Sequence, residues 1–376
     1  MNLKKKVIVL GCGRIGTTIA RDLYPEFDVL VADVNPDSLK MLNKKYNIPV
    51  EVCDVNDVHA FPKLLSNFDL AVCAVPGFMG FQTLKKIIEA GIDVVDISFF
   101  NENPFELDEL AKEKGVTAII DCGVAPGLSN IILGHHASIS TLDSFVCYVG
   151  GLPVERELPF EYKAPFSPID VIAEYTRPAR IIENGQQVIR EALSEREILN
   201  FDGFGELEAF NTDGLRSIVH TMNVPNMKEK TLRYPGHAYI MEGFRAAGFF
   251  SEQEVEVKGK KVRPIDLTST LLFECWNLTP DDKEFTVMRI ELTDARSTVR
   301  YTITDRGDLE NEMSSMARLT GFTCTAALRF MAKSNELPKG ILAPELLSSS
   351  PEAFEYVIKY LKKKGVSIEV QSHLNE

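Results

Sequence analysis

Three glycines near the start of the chain have the spacing needed to bind a dinucleotide. The segment VIVLGCGRIG places Gly11, Gly13 and Gly16 directly after an apolar run. The first glycine allows a tight turn, the second lets a pyrophosphate approach the backbone, and the third lets the following helix pack closely. The N-terminus of that helix offers N–H groups and a positive dipole end to the phosphates. We expect Arg14 and Ile15, which lie within the turn, to contact the cofactor as well.

Asp33 ends the next apolar run, VLVAD, and lies twenty residues after Gly13. A carboxylate at this distance accepts hydrogen bonds from the adenosine ribose hydroxyls and would repel a 2′-phosphate. The spacing therefore predicts NAD rather than NADP, with Val34 as a neighbouring contact. A glycine-rich structural turn is the alternative interpretation, but the strand, the helix and the acid together favour a dinucleotide. The motif alone fits either a dehydrogenase or a regulatory module that senses NAD.

A turn and a Pro-rich segment carry two carboxylates with possible acid–base chemistry. Asp121 opens the turn DCGVAPG, and Glu161 lies in PFEYKAPFSP. The turn suits a crossing between domains, and it also suits a carboxylate placed beside the nicotinamide; the two interpretations are compatible. A charged side chain in a Pro-rich loop is often only solvated, which is the alternative for Glu161.

Two polar loops carry arginines suited to a carboxylate. NTDGLRS contains Asp213 and Arg216, and TLRYPGH contains Arg233 and His237. A guanidinium binds a carboxylate through two parallel hydrogen bonds, whereas a surface arginine needs no ligand. We expect Asp213 and the two arginines to contact the substrate. His237 is a candidate acid or base, although a structural histidine is the commoner case.

The elements that must position these residues alternate between apolar strands and helical segments over about the first 125 residues. The predicted strands are KVIVLG, DVLVAD, VEVCDV, DLAVCAVP, the segment from Asp93 to Ser98, and TAIIDCG. Such alternation is typical of an α/β fold with a Rossmann-type, doubly wound parallel sheet. Ligands of these sheets bind beyond the carboxyl ends of the strands. This rule adds Ser98 as a substrate contact and, as cofactor contacts, Asp54, Val55, Val75, Pro76, Asp96 and Gly123.

The sequence pattern changes after Gly127. The segments KEFTVMRIEL and RSTVRYTITD place polar residues at alternate positions, as in antiparallel strands. They predict an α+β domain with a mainly antiparallel sheet. Residues 313–331 predict a buried helix, and residues 351–364 predict an amphipathic one.

Composition argues against several classes of partner. The chain has 376 residues, more than one hydrophobic core usually holds, so two domains are expected. The net charge of −13 argues against nucleic acid or an anionic membrane as a partner. Apolar stretches are too short for a membrane span. Seven scattered cysteines without CxxC predict reduced thiols in a cytoplasmic protein, and the histidine spacing predicts no metal site.

Four motifs, in the same order along the chain, resemble those of the saccharopine dehydrogenase family. They are DCGVAPG at 121–127, GGLP at 150–153, TLRYPG at 231–236 and GILAP at 340–344. The resemblance implies a discontinuous Rossmann NAD-binding domain made of residues 1–125 and about 311–376. Residues 126–310 would then form the substrate-binding and dimerisation domain. A homodimer is implied as well.

Within this family the chain resembles archaeal and bacterial lysine 6-dehydrogenases in four segments. These are LSN at 128–130, EYTRPAR at 174–180, DGLRS at 213–217 and RYPGH at 233–237. The resemblance implies NAD-dependent oxidative deamination of the ε-amine of L-lysine, with release of ammonia. The product would be 2-aminoadipate 6-semialdehyde, which cyclises to piperideine-6-carboxylate.

Two rival functions remain open. Saccharopine-forming relatives carry an arginine at the position of Ile169, which grips the glutarate arm, and an aspartate at the position of Ala125. The first rival is a saccharopine or carboxynorspermidine dehydrogenase-type reductive condensation. Ile169 argues against binding of the glutarate arm of saccharopine, and Asp33 argues against the NADPH that this rival predicts. A non-catalytic NAD-binding regulator is the rival from another class.

The expected chemistry assigns a role to each candidate side chain. An alkylammonium must lose a proton before a hydride can leave the neighbouring carbon. We expect the substrate amine to lie between Asp121 and the nicotinamide, with His237 or Glu161 relaying the proton. Arg216, helped by Arg233, would hold the α-carboxylate.

Overall fold

The computed structural model describes residues 4–165, 168–279, 281–334 and 337–375. The chain divides into two compact units. The first unit consists of Met1–Ser138 and Ala317–Gly365, and the second of Ile139–Met316 and Val366–Glu376. The predicted boundaries at residues 125 and 311–376 need correction. Residues after 125 continue the first unit as a helix, and the last residues join the sheet of the second unit as a strand.

The first unit is built on one parallel sheet. Its strands are β1 (Lys6–Leu10), β2 (Asp28–Asp33), β3 (Val50–Val52), β4 (Leu70–Cys73), β5 (Asp93–Asp96), β6 (Thr117–Ile119) and β17 (Gly340–Leu342). Their order across the sheet is β3-β2-β1-β4-β5-β6-β17, with every neighbouring pair parallel. This is the doubly wound Rossmann order, extended by one strand from the C-terminal part of the chain. The predicted α/β class is confirmed.

Helices cover both faces of this sheet. They are α1 (Arg14–Leu23), α2 (Pro36–Tyr46), α3 (Ala60–Leu65), α4 (Gly77–Glu89), α5 (Asp108–Lys114), α6 (Leu128–Ile139), α11 (Ser315–Lys333), α12 (Pro344–Leu347) and α13 (Pro351–Lys363). In β1, Val7 and Val9 belong to one apolar core, and Ile8 and Leu10 belong to the other. Because both faces are buried, the strand is a continuous apolar run rather than an alternating one.

A buried ion pair ties α1 to the C-terminal part of the first unit. Asp22 Oδ2 accepts hydrogen bonds from Arg329 Nη1 at 2.8 Å, Thr325 Oγ1 at 2.6 Å and Tyr360 Oη at 2.6 Å. Lys364 is a second cation on the same carboxylate. Burial acts to raise the pKa of Asp22, but the cations and hydroxyl donors outweigh it, so the pKa is lowered. The network holds the helix that follows the glycine turn.

Replacing Asp22 by Asn should destabilise the first unit by about 3 kcal/mol near neutral pH, because Arg329 loses a buried counter-ion. The lowered pKa makes this contribution present above the unfolded value of about 3.9, and it is lost as the pH falls further. Denaturant unfolding at about pH 7 and about pH 3 checks this. Glu113→Gln, which removes an exposed carboxylate, is the control. An Asp22→Asn deficit of equal size at both pH values would contradict the assignment.

The second unit is built on a mixed sheet. Its strands are β7 (Leu142–Pro153), β8 (Ala179–Glu183), β9 (Gln186–Arg190), β10 (Glu197–Phe201), β11 (Gly205–Asn211), β12 (Asn226–Arg233), β15 (Glu284–Asp294), β16 (Ser297–Arg306) and β18 (Ser367–Leu374). The main order is β10-β11-β12-β7-β15-β16-β18, and β8 pairs with both β12 and β9. Strands β7 and β12 are parallel, and the other pairs are antiparallel. A small hairpin, β13 (Val255–Val257) and β14 (Lys260–Val262), stands apart.

An aromatic cluster forms the core beside this sheet. The helices of the unit are α7 (Pro168–Thr176), α8 (Ile218–Thr221), α9 (His237–Ala246) and α10 (Pro264–Cys275). Trp276 is fully buried, and its ring lies edge-on to Tyr162 and Tyr175 at centroid distances of 5.3 and 6.3 Å. Bulky rings leave little room for rotamer changes in a packed core. This cluster therefore gives the neighbouring polar side chains a rigid support.

The predicted antiparallel strands are found as β15 and β16, which confirms the second part of the fold class. Within the described parts of the chain, no helix combines the length and apolar character of a bilayer span. All seven cysteines are free thiols, and six of them are buried.

Candidate functional site

The turn between β1 and α1 is packed so closely that two of its glycines have no room for a side chain. A Cβ atom on Gly11 would lie 2.4 Å from the carbonyl oxygen of Ala74, and one on Gly16 would lie 2.1 Å from the carbonyl oxygen of Gly11. Gly11 also has a φ of 109°, which side chains disfavour. At Gly13, by contrast, a Cβ would meet no atom within 4 Å. The open space lies where a pyrophosphate approaches the backbone.

The N-terminus of α1 is suited to an anion. The helix begins at Arg14, no side chain caps it at Gly13, and its first turn contains no acidic residue. The N–H groups and the dipole at this end favour a phosphate. The residues present therefore fit a dinucleotide in the place that the sequence predicts.

Asp33 ends β2 next to the glycine turn. Its Oδ2 accepts a hydrogen bond from the Cys12 N–H at 2.6 Å, and its Oδ1 accepts one from the Asn35 N–H at 2.8 Å. Both carboxylate oxygens are thus held by backbone donors. Val34 is 58% exposed and offers an apolar surface rather than a cation. This arrangement suits a ribose with free hydroxyls better than one that carries a 2′-phosphate.

The other predicted cofactor residues also follow strand ends. Asp54 and Val55 follow β3, Val75 and Pro76 follow β4, and Gly123 follows β6. They share the carboxyl edge of the sheet with the glycine turn, as the topology rule requires. Their contact with a cofactor stays a prediction.

Two acidic residues lie side by side at the ends of β5 and β6. The Cys122 N–H, directly after Asp121, donates to the carbonyl oxygen of Asp96 at 3.0 Å. Burial, aided by the charge of Asp121, raises the pKa of Asp96 to about 7. Asp96 Oδ1 accepts the Ser98 N–H at 3.2 Å, and the Ser98 hydroxyl contacts Cys73 Sγ at 3.4 Å. Ser98 is buried in these contacts, and its predicted contact with the substrate stays a prediction.

The turn at residues 121–127 is held by a buried amide and a buried acid. Asn130 Oδ1 accepts the Gly127 N–H at 3.1 Å, and Asn130 Nδ2 donates to Glu345 Oε2 at 3.0 Å. A Cβ on Gly127 would lie 2.1 Å from the carbonyl oxygen of Gly123, so the two ends of the turn pack backbone against backbone and leave no space for a side chain at 127. Sequence analysis missed Glu345, whose signal is the GILAP motif directly before it. The turn is a rigid support for Asp121.

A row of buried polar side chains lies on one face of β12. Glu229, Thr231 and Arg233 alternate along the strand and are 5%, 3% and 2% exposed. Buried polar groups are costly unless partners satisfy them. The role of each of these side chains therefore depends on its hydrogen-bond and ion-pair partners.

The guanidinium of Arg233 is the centre of this polar cluster. Its Nη2 donates to Glu174 Oε2 at 2.6 Å, and its Nε donates to Tyr175 Oη at 3.1 Å. The guanidinium carbon lies 4.4 Å from the centre of the Tyr162 ring. Arg233 is neutralised inside the second unit and holds α7 against β12. These contacts give Arg233 a structural part, and its predicted contact with a substrate carboxylate stays a prediction.

His237 has hydrogen bonds at both ring nitrogens. Nδ1 lies 2.8 Å from the Phe160 carbonyl oxygen, which only accepts, so Nδ1 carries the proton and Nε2 accepts the Tyr175 hydroxyl at 3.0 Å. The Tyr175 oxygen in turn accepts a hydrogen bond from Arg233, so its own proton is available for His237 and the three hydrogen bonds are mutually consistent. Burial, followed by the charge of Arg233, lowers the pKa of His237 to about 3. His237 is thus neutral and hydrogen-bonded at both ring nitrogens, and its part in a proton relay stays a prediction.

Two further predicted residues are engaged with arginines. Asp213 accepts hydrogen bonds from Arg180 Nε at 2.8 Å and from Arg180 Nη2 at 2.9 Å. Glu161 accepts two from Arg156, both at 2.9 Å. Asp213 therefore orders Arg180 instead of standing open to a substrate. Glu161 would have to exchange its partner before it relayed a proton.

Three predicted residues share a backbone conformation that L side chains rarely adopt. The φ angles of Asp121, Glu161 and Arg216 are 48°, 48° and 54°. Such a conformation costs about 1–3 kcal/mol. Six other described non-glycine residues adopt it as well, so it does not by itself mark a functional side chain. Arg216 is also only 5% exposed, so a solvated surface arginine does not describe it.

Sequence analysis missed the side chains that complete the cluster in the second unit. They are Glu174, Tyr175, Tyr162, Arg180 and Glu229. The first, second and fourth lie within EYTRPAR, the segment already noted for its resemblance. No motif marks Glu229, and its only signal is an acid inside a strand-like segment. Among the described residues, no group of three or more His, Cys, Asp or Glu side chains is placed to hold a metal.

The fold and the glycine turn define a Rossmann-type dinucleotide-binding protein with a second, mainly antiparallel unit. Residues 123–366 match the profile described as "Saccharopine dehydrogenase C-terminal domain", and residues 7–119 match "Saccharopine dehydrogenase NADP binding domain". The chain belongs to the saccharopine dehydrogenase family. A particular likeness to lysine 6-dehydrogenases stays a prediction.

Known proteins similar to this chain carry related names. It is 25% identical to mouse mitochondrial alpha-aminoadipic semialdehyde synthase over 70% of this chain and 30% of that protein. The chain thus spans about a third of that relative's length. It is 22% identical to saccharopine dehydrogenase (NADP(+), L-glutamate-forming) of Saccharomyces cerevisiae over 96% of this chain and 97% of that protein.

One solved structure shows the same fold over nearly the whole chain. Apo saccharopine dehydrogenase (L-Glu forming) from Saccharomyces cerevisiae superposes with a TM-score of 0.78, at 19% identity, over 98% of this chain and 100% of that one. The architecture of both units is therefore that of a known saccharopine dehydrogenase.

The glycine geometry separates binding from folding in two variants. Gly13→Ala should leave thermal unfolding unchanged, because its Cβ meets open space, but weaken NADH binding about tenfold or more. Gly16→Ala should lower stability by about 2 kcal/mol, because its Cβ collides with the Gly11 carbonyl. Fluorescence titration with NADH and thermal unfolding measure the two effects. Equal losses of stability in both variants would contradict the assignment of Gly13 to the ligand.

Proposed function

We propose that this chain is a nicotinamide-dinucleotide-dependent dehydrogenase that oxidises a carbon–nitrogen bond in the side chain of a lysine-type amino acid. The observation that carries the proposal is the family match of residues 123–366, in a chain that also contains the dinucleotide turn. The related proteins are named for saccharopine and for aminoadipic semialdehyde, both of which contain the carbon skeleton of lysine.

Two substrates fit the proposal, each with its own support. Saccharopine is supported by relatives of that name, one of which aligns with 96% of the chain. L-Lysine is supported by Ile169, which is 40% exposed and offers no charge to the glutarate arm of saccharopine. Phe166 and Ser167, which precede it, lie outside the described residues. The comparisons favour saccharopine, whereas the side chain at 169 favours L-lysine.

The proposed chemistry begins with removal of a proton from the substrate amine. An ammonium with a pKa near 10.4 in water has no lone pair with which to expel a hydride. In the first unit, Asp121, next to buried Asp96, is the proposed proton acceptor. In the second unit, and as a separate proposal from the sequence, Arg216 is the partner of the α-carboxylate. The bound dinucleotide would supply the hydride acceptor. A homodimer and a cytoplasmic location remain predictions from the resemblance and from the cysteine pattern.

Asp33 should determine the choice of cofactor. Asp33→Ser removes the charge that disfavours a 2′-phosphate, so the ratio of kcat/KM for NAD to that for NADP should fall about tenfold or more. Steady-state assays with both cofactors measure the ratio. Asp37→Asn, which removes a nearby exposed carboxylate, is the control. A wild-type enzyme that prefers NADP, as the profile name of its first unit suggests, would contradict the NAD assignment.

A substrate screen tests the proposed function itself. Reduction of NAD and NADP is followed with saccharopine, L-lysine, L-ornithine and pentane-1,5-diamine. Turnover of saccharopine alone would identify the reaction named for the relatives, and turnover of L-lysine would identify oxidative deamination. No turnover with any amine would contradict a dehydrogenase and leave the NAD-binding regulator.

Arg216→Met should raise KM for the amino acid that is turned over about tenfold to a hundredfold, because a charge-assisted hydrogen bond is lost. KM for pentane-1,5-diamine, which has no carboxylate, should stay within about twofold. Arg296→Met, at an exposed position, is the control. Equal effects on the amino acid and the diamine would exclude Arg216 as a carboxylate clamp.

A further inference from the structure

A lysine of α4 reaches across to the segment that follows β3. Lys86 lies in the last turn of the helix, and its Nζ donates to the carbonyl oxygen of Val55 at 2.8 Å and lies 3.5 Å from Asn56 Oδ1. Both partners are neutral groups, whereas the neighbouring Lys85 lies 4.0 Å from the carboxylate of Glu89. A hydrogen bond from a charged donor is stronger than a neutral one. The contact therefore fixes the peptide group that joins residues 55 and 56.

The same peptide group holds the carboxylate of Asp54. The Asn56 N–H, which shares a plane with the Val55 carbonyl, donates to Asp54 Oδ1 at 2.8 Å. Because the peptide group is rigid, the bond from Lys86 to its oxygen also sets the direction of its N–H. Asp54 Oδ2 has no partner within the part of the chain that the structure describes. One oxygen of this carboxylate is thus held by the backbone, and the other is left to accept a hydrogen bond from a ligand.

The position of Asp54 in the sheet indicates which half of a dinucleotide it would meet. The strand order reverses between β1 and β4, and a dinucleotide lies across such a point with one half on each side. Asp33 ends β2, where an acid faces the adenosine ribose. The Cys53 N–H, directly before Asp54, donates to the carbonyl oxygen of Asp33 at 3.0 Å. Asp54 therefore lies on the adenosine side of the sheet.

We propose that Lys86 is a positioning residue for the dinucleotide and acts through Asp54. The lysine fixes the peptide group of residues 55 and 56, that group holds Oδ1, and Oδ2 accepts a hydrogen bond from the adenosine half. Adenine has an amino donor and the ribose has hydroxyl donors, which match an oxygen that only accepts. This inference rests on the proposed function only in requiring a bound dinucleotide, and it is independent of which amine is oxidised.

Equilibrium binding to the full chain tests the inference with ligands that contain or lack adenosine. NADH and ADP-ribose contain it, and reduced nicotinamide mononucleotide does not. Lys86→Met should weaken NADH and ADP-ribose about fivefold to twentyfold and leave the mononucleotide within about twofold. Fluorescence titration measures the two reduced nucleotides, and calorimetry measures ADP-ribose. Equal losses for all three ligands, or unchanged affinity for NADH and ADP-ribose, would overturn the inference.

Matched variants separate positioning from charge. Lys85→Met removes the same charge one residue earlier and should keep NADH affinity within about twofold. Lys86→Arg retains a charged donor and should restore most of the affinity that Lys86→Met loses. In an Asp54→Ala background, Lys86→Met should cost less than about twofold more, because residues that act on one interaction are not additive. Additive losses in the double variant would show that Lys86 does not act through Asp54.

Folding and catalysis are kept apart from this test. Thermal unfolding establishes that each variant is folded at the assay temperature. If Lys86→Met does not fold, Lys86→Gln, whose side chain is shorter, replaces it with the same expected selectivity. If the wild type and its variants bind NADH as described but oxidise no amine, the proposed function fails while the inference stands. If the wild type binds neither NADH nor ADP-ribose, the inference fails.

Discussion

The first unit depends on a point where two backbone segments touch with no side chain between them. The turn before α1 presses on the end of β4 through Gly11 and Ala74, and α1 presses on the same turn through Gly16. Because these backbone atoms are in direct contact, α1 can pack against the parallel sheet in only one position. The other end of α1 is held by the buried pair of Asp22 and Arg329. Because both ends of α1 are held, its N-terminus is fixed at the position where it would bind a phosphate.

The second unit meets a different constraint, which is to keep several charges inside a packed core. Buried ion pairs add little net stability because dehydration offsets their attraction. The pair of Arg233 and Glu174 is therefore better explained by positioning than by stability. Arg233 donates to the Tyr175 hydroxyl and so fixes its direction. That hydroxyl donates to His237 Nε2, which leaves the proton of the ring on Nδ1, and Nδ1 donates to the Phe160 carbonyl oxygen. One guanidinium thus orients α7, α9 and the chain at Phe160, which precedes α7.

Much of the first unit was predictable because buried parallel strands are continuous apolar runs. Strand β17 was not, because it lies far along the chain from the other strands and its place is set by pairing with β6. Edge strand β18 was missed as well: its exposed side chains lack clear alternation, and its place is set by pairing with β16. Site residues divide in the same way. Spacing along the chain predicted Gly11, Gly13 and Asp33, because their roles depend on backbone geometry within one βαβ unit.

The second-unit site was harder to predict because a side chain's type does not reveal its partner. Arg233 and His237 have the chemistry of a carboxylate clamp and a proton relay, yet distant residues occupy both. Shifted pKa values are typical of functional groups, but structural ion-pair networks shift the pKa as well, so residue type and environment have to be read together.

The name of the family profile and the residue at the end of β2 point to different cofactors. The profile name mentions NADP, whereas Asp33 is an acid at the position that faces the adenosine ribose in Rossmann proteins. This acid cannot easily turn away, because backbone N–H groups hold both of its oxygens. Two unit charges 4 Å apart repel by about 1 kcal/mol in water and about 4 kcal/mol near a protein surface. A phosphate with nearly two charges would meet more than that, and Val34 supplies no compensating cation. The local charge and the profile name therefore make opposite predictions, and NAD as the preferred cofactor stays a prediction from the charge of Asp33.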